Sequence, residues 1–223
     1  MNNEITKNIQ TEKVGALDRT AEVKGGPFKR FLKSFWGEIL QIVIISLVIV
    51  IPFRLYVAQP FLVSGPSMDD TFANGQYLIV DELTYQFREP QRGEVIIFHY
   101  PLDTKKFFIK RIIGLPSETI EIKDSKITIC RLNCEADTNK ITLDEPYIKV
   151  DKLASPRPNT TVTLKENEYY VLGDNRSVSS DSRIWGPVKR EFITGRPFLR
   201  LFPFNVIDLF PGQVPAQMET ITN

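Results

Sequence analysis

Histidine is almost missing from this sequence: among 223 residues only His99 is present. A Ser-His-Asp triad would have to be built on it, yet His99 lies in the strand-like run VIIFHYP, alternates with Ile97 and suits a sheet rim. Cysteine is nearly as scarce, with only Cys130 and Cys134 bracketing the motif CRLNC. Two cysteines and one histidine fall short of the four ligands of a closed zinc site, so no metal is expected. The pair is left with two forms, a local disulfide that persists in an oxidising compartment, or two thiols. Surplus charge is lacking too. Lys+Arg number 28 against 27 Asp+Glu, a formal net charge of +1, and no global field points to nucleic acid. No internal repeat or low-complexity block is present.

What is there is unevenly distributed. Hydrophobic residues make up 42% and charged residues 25%, ordinary values for a globular chain. Between Glu38 and Arg54, however, runs ILQIVIISLVIVIPF, uncharged, with Gln41 and Ser46 its only polar side chains. As a helix it reaches roughly 22 Å against a hydrocarbon core of about 30 Å. Flanking residues from Trp36 and through Ala58 extend it to spanning length, with Arg54 able to snorkel. A soluble helix of this length would carry a polar stripe, and none is visible. A cleaved signal peptide fits poorly, because a long polar segment precedes the run and no small-x-small site follows it. The expectation is a retained anchor with a transmembrane helix at about 37–57. Lys24, Lys29, Arg30 and Lys33 stand before it without an acidic neighbour, which places the N-terminus in the cytoplasm and the bulk of the chain outside.

The domain plan follows: a disordered cytoplasmic tail at 1–27, the anchor at 28–58, a β-rich extracytoplasmic domain at 59–213, and a C-terminal tail at 214–223. Beyond Phe61, short apolar runs alternate with turn signals. Strands are expected at Gln76–Asp81, Glu94–His99, Phe107–Ile113, Thr119–Lys123, Lys126–Cys130, Thr161–Leu164 and Tyr169–Leu172. Prolines from Pro146 to Pro211 leave little room for long helices. The fold class is therefore mostly β. The segment LRLFPFNVIDLF near the C-terminus is either core or a lipid-resting surface.

Three segments carry chemistry. Ser67 stands in LVSGPSMDDTF, on a Gly-Pro turn that leaves its own N–H available to an oxyanion. It lies 14 residues beyond Phe53, within roughly 45 Å of the apolar run even if fully extended. A serine nucleophile needs a base, and lysine serves if desolvation lowers its pKa. Lys110, inside FFIKRIIGL, is flanked on a strand by Phe108 and Ile112 on its own face and by Ile109 on the other. Taken singly, each of these two residues has an ordinary structural reading: a serine in a turn and a lysine at a sheet rim. The third segment, VLGDNRSVSSDSRIWG, packs short hydrogen-bonding and charged side chains directly behind an apolar strand, where they could orient a base.

SGPSM, RGEVIIFHYP, FIKRIIGLP and GDNRSVSSDSR, in this order behind an apolar helix, resemble the successive signature boxes of bacterial type I signal peptidases over roughly Ile39 to Phe210. The resemblance implies an antiparallel β-sheet catalytic domain behind a single N-terminal transmembrane helix, and a Ser-Lys dyad. Ser67 matches the nucleophile, Lys110 the general base, and Ser179 the serine that positions the lysine amine. Asp174, Arg176, Asp181 and Arg183 match supporting ionic residues. Phe61, Val63, Met68, Phe72, Phe108 and Ile109 match the apolar substrate groove, which accepts small side chains of the Ala-x-Ala type. Where some members carry a Ser or Thr two residues before the nucleophile, this chain has Gly65. The Ser67 N–H then becomes the first oxyanion donor, with Ser64 a candidate for the second. The implied partners are exported precursors with signal peptides and the lipid bilayer, with the secretion translocon a further candidate. No cofactor is implied. Three other readings compete: a soluble self-cleaving repressor of the same clan, a catalytically inactive anchored module, and a peptidase dedicated to one secreted or pilin-like substrate.

Overall fold

A computed structural model describes residues 27–56, 58–131, 134, 139–153, 159–214 and 219–221. The chain divides into two compact units, residues 1–51 and 52–223. Helix α1 runs Pro27–Tyr56, starting well before the expected position 37. Proline is pre-set for the first turn of a helix, which suits Pro27 to its place at the start of α1. The described side chains of α1 span Phe35 to Ile51, and its apolar residues are exposed on every side, Trp36 at 63% and Val48 at 66%. Among the described residues no helix is long and apolar enough to cross a membrane. Of the expected tail at residues 1–27, all but Pro27, the first residue of α1, lies outside the described residues.

The second unit is built on antiparallel strands. These are β1 (Ala58–Leu62), β2 (Tyr77–Asp81), β3 (Val95–Tyr100), β4 (Asp103–Gly114), β5 (Thr119–Lys123), β6 (Lys126–Cys130) and β7 (Lys140–Leu143). Then come β8 (Thr160–Thr163), β9 (Glu168–Leu172), β10 (Val188–Lys189), β11 (Ile193–Phe202), β12 (Asp208–Leu209) and β13 (Glu219–Ile221). Three four-residue helices interrupt them: α2 (Thr84–Phe87), α3 (Val150–Leu153) and α4 (Ser182–Trp185). The larger sheet has eight strands ordered β1-β2-β11-β3-β4-β9-β10, with β12 on β11. The smaller has five, ordered β13-β7-β6-β5-β8. Every strand expected from the apolar runs and turn signals is present within a few residues.

The strands not expected have physical reasons for their silence. β11 contains Gly195 and Pro197, residues that usually end a strand. Gly195 is required there because a Cβ would lie 2.4 Å from the Asp81 carbonyl oxygen of β2. Pro197 sits beside a register shift that spares the ladder its missing N–H. β13 pairs with β7 inside the stretch expected to trail as a tail. Phe204, Ile207 and Leu209 of LRLFPFNVIDLF are exposed rather than core.

β4 is the spine of the unit. Ile112 joins Ile96, Phe98 and Val171 in one buried cluster, while Ile113 joins Ile120, Ile129 and Leu164 in the core of the smaller sheet. Ile109 packs on a third cluster of Val63, Met68, Phe72, Leu78 and Val95. A fully buried isoleucine contributes about 1.5–3 kcal/mol. Three residues of one strand thus tie three cores together, which leaves the strand little freedom to shift. Cys130 and Cys134 are joined as a disulfide at the end of β6.

Candidate active site

Lys110 lies on β4 opposite Ile96 of β3, in the most heavily buried part of the sheet. Its side chain is carried with it, and the residue is only 3% exposed. The Nζ stands 2.7 Å from Ser67 Oγ and donates to the Ile109 carbonyl at 2.8 Å. Loss of hydration drives the amine pKa down to about 8, against a smaller upward pull from Asp181 and Asp174. The Phe108 ring centroid lies 5.4 Å away. A neutral amine at this distance can accept the Ser67 proton.

Ser67 is half-buried in a tight turn between β1 and β2. Gly65, at φ +92°, sets its entry, a conformation that would strain any side chain. After Ser67, Asp69 N–H donates to the Pro66 carbonyl and Phe72 N–H to the Met68 carbonyl, closing a compact turn. No hydrogen bond among the described residues uses the Ser67 N–H. The Gly65 N–H is taken up by Asn74 Oδ1 at 2.9 Å.

The loop after β9 presses against this turn from behind. Asn175 N–H donates to the Ser67 carbonyl at 3.1 Å, and Asp174 N–H to Met68 Sδ at 3.4 Å. Gly173 is the tightest point: a Cβ there would fall 2.2 Å from Ser179 Oγ and 2.4 Å from the Ser67 carbonyl oxygen. Ser179 is fully buried, and its hydroxyl hydrogen-bonds Asp181. Asp181 also takes the Gly173 N–H and a two-armed contact from Arg183, at 2.7 and 2.6 Å. Burial pushes the Asp181 carboxyl up, but Arg183 and these hydrogen bonds hold it below its ordinary 3.8. Asp174 forms a second fork with Arg111, at 2.9 and 2.6 Å, and accepts the Thr71 hydroxyl. Arg176 reaches back to the Gly173 carbonyl and pairs through both terminal nitrogens with Glu145.

Beside Ser67 and Lys110 opens a cleft of about 470 Å³. Phe61, Val63, Phe108 and Ile109 line it, joined by Leu78 and Val178. Met68 and Phe72 do not. They are 1% and 0% exposed and form the floor beneath, where Met68 serves as a hydrogen-bond acceptor. Arg111, Thr71, Glu145 and Tyr147 were not anticipated. An arginine in the middle of an apolar strand was the available signal for Arg111; nothing local marks the other three. His99 stays at the rim, with Nδ1 2.7 Å from the Thr104 carbonyl.

A hydroxyl, a desolvated amine and an apolar cleft together form an arrangement able to carry out acyl transfer on an extended chain. Residues 36–202 match the family described as "Signal peptidase, peptidase S26". A "Probable signal peptidase I-2" of Synechocystis sp. is 33% identical over 196 residues, 85% of this chain and 84% of that protein. "Signal peptidase I" of Leptolyngbya laminosa is 34% identical over 169 residues, 72% of this chain and 77% of the other. A signal peptidase I from Enterococcus faecalis V583, known as a crystal structure, is 33% identical with a TM-score of 0.41, over 49% of this chain and 97% of that one. The chain belongs to the signal peptidase family, peptidase S26, and is a serine endopeptidase.

Proposed function

We propose that this protein removes N-terminal signal peptides from exported precursors, cutting after small residues of the Ala-x-Ala type by a Ser67-Lys110 dyad. The observation that carries this reading is the 2.7 Å approach of Lys110 Nζ to Ser67 Oγ at the wall of an apolar cleft. The neutral Lys110 amine takes the Ser67 proton as Oγ attacks the scissile carbonyl. The oxyanion rests on the Ser67 N–H, with the Ser64 hydroxyl, which lines the cleft, as the second donor. The Lys110 ammonium then gives its proton to the leaving amine, and an acyl ester remains on Ser67. Lys110, neutral again, deprotonates water to hydrolyse the ester. Ser179, Asp174, Arg176, Asp181 and Arg183 hold this geometry, and a cleft walled by Phe61, Val63, Phe108 and Ile109 favours small apolar side chains beside the cut.

The same reading places the chain in the bacterial cytoplasmic membrane. Helix α1 supports it, because exposing Ile42, Val48 and Ile49 to water at 60% or more would be unfavourable. Lys24 before it and Lys29, Arg30 and Lys33 ahead of its uncharged run keep the N-terminus in the cytoplasm and the peptidase unit outside, where the Cys130–Cys134 disulfide persists. The precursor and the bilayer are then the partners, with the secretion translocon a further one.

Purified protein in detergent should cut a synthetic Ala-x-Ala precursor, and Ser67→Ala and Lys110→Ala should each abolish cutting. The rate should rise with pH through about 8 as Lys110 loses its proton. Activity surviving in either variant, or a rate undiminished well below pH 6, would sink the dyad. An uncut precursor with the unaltered protein would favour a binding module instead.

A further inference from the structure

The segment between β7 and β8 leaves the smaller sheet and meets both catalytic loops. Glu145 accepts the Arg176 guanidinium with the two side chains 7% and 4% exposed. The Tyr147 hydroxyl donates to Glu145 at 2.5 Å, and the Tyr147 ring lies under the Arg111 guanidinium, 4.1 Å from its carbon. Burial raises the Tyr147 phenol well above its ordinary value, with Glu145 adding to the shift, so Tyr147 stays a donor. Two lysines further on, Lys149 bonds Asp70 at 2.9 Å, and Lys152 bonds Asp69 at 3.1 Å and Asp70 at 2.7 Å. The Arg176 N–H also donates to the Lys152 carbonyl. One short stretch of chain therefore holds the turn that carries Ser67 and the loop that backs it.

The contact at Asp70 has a conformational meaning. Asp70 adopts φ +82°, a left-handed state that costs a non-glycine residue of order 1–3 kcal/mol unless its surroundings impose it. Its side chain lies between Lys149 and Lys152, and it follows Ser67 by three residues. Releasing those lysines lets the turn relax. On the other loop, Arg176 Nε holds the Gly173 carbonyl, and Gly173 is in contact with Ser179 and the Ser67 carbonyl. Releasing Glu145 frees Arg176 and with it that contact.

We infer that the arm Asp144–Leu153 positions the Ser67-Lys110 pair, with Glu145 and Lys152 as positioning residues that clamp the Ser67 turn and the Gly173–Arg183 loop in register. The inference rests on the dyad reading above. It assigns the smaller sheet a role as the mount of that arm. A displacement near 1 Å at reacting atoms costs a turnover rate roughly a hundredfold.

The test uses the full chain in detergent and a synthetic Ala-x-Ala precursor, with Glu145→Gln, Lys152→Met and Lys152→Arg compared to Ser67→Ala and Lys110→Ala. Glu145→Gln and Lys152→Met should lower kcat roughly tenfold to a hundredfold with KM within about threefold. The pH midpoint of the rate should move up from about 8, because a loosened site readmits water to Lys110. Lys152→Arg, which keeps the charge, should recover most of kcat. Circular dichroism melts at the assay temperature supply the folded fraction. Wild-type kcat in both neutral variants, a loss matching the unfolded fraction, or a loss with an unmoved pH midpoint would each overturn the inference. Ser67→Ala and Lys110→Ala separate the two levels: if they remain active the dyad itself fails, and if they are dead while the arm variants are normal only the arm fails.

Discussion

At the scale of single residues, Lys110 is held where an ammonium is poorly solvated. Its pKa of about 8 in the fold lies below the ordinary 10.5, so the native state disfavours the charged form. Between those two values the unfolded chain binds more protons, and stability rises with pH. Below about pH 8 the penalty is present in full, on the order of 3 kcal/mol. Lys110→Met should therefore stabilise the protein at pH 6.5 by about 2 kcal/mol once the lost hydrogen bonds are counted, while abolishing cutting. Urea unfolding at pH 6.5 and 9.5 checks this, since the advantage should shrink at the higher pH. A Lys110→Met variant less stable than the parent at pH 6.5 would mean that the amine is not desolvated as the burial indicates.

At the scale of elements, the decisive meeting is between two loops far apart in the chain. The Ser67 turn and the loop after β9 approach so closely that Gly173 has no room for a methyl group, with one neighbour the Ser67 backbone oxygen. A flexible side chain could move aside, but a carbonyl fixed by the Asn175 N–H cannot. Gly173→Ala should destabilise the unit by about 3 kcal/mol and displace Ser67, cutting kcat at least tenfold in the fraction that stays folded. Thermal unfolding together with kcat on folded protein checks both halves. An unchanged kcat would show that the two loops do not need this contact. The long strand β4 explains why such a contact can be kept. Its residues enter three separate cores, so Lys110 sits on a firmly held element.

At the scale of the whole molecule, the proposal of an anchored peptidase makes a separable prediction. The full chain expressed in bacteria should stay with the membrane through alkaline carbonate extraction. Protease added to intact spheroplasts should degrade the unit from Ala58 onward and spare the N-terminal flank. Extraction by carbonate would overturn the anchor while leaving the peptidase reading untouched, because the dyad and cleft lie wholly within residues 52–223. The disulfide joins the smaller sheet's β6 to the loop after it. Closing so short a loop contributes about 2 kcal/mol, a modest share of the stability of this unit.

The sequence by itself determined the class of fold, the apolar helix, and the two residues on which the chemistry is proposed to rest. Short apolar runs bounded by turn signals mark β3, β4, β5, β6 and β9, with period-two alternation clear in β5, and such local patterns need no tertiary information. Ser67 and Lys110 emerged because histidine is nearly absent, because a lysine among isoleucines and phenylalanines is chemically unusual, and because the ordered motifs around them resemble those of the type I signal peptidases. The supporting shell was only partly legible. The loop Gly173–Arg183 was visible as a dense polar motif, whereas Glu145, Tyr147 and Lys152 carry no local mark. Their significance lies in what they touch, Arg176, Arg111, Asp69 and Asp70, residues brought to them by the return of the chain from the smaller sheet. Only the tertiary structure decided that Met68 and Phe72 are floor rather than wall, because a turn has no period to say which of its apolar side chains meets a cleft. It also decided that β11 passes through Gly195 and Pro197, since close approach to Asp81 and a local bulge are properties of two strands together. Spacing along the chain names the groups capable of the reaction; packing across it sets the 2.7 Å between them.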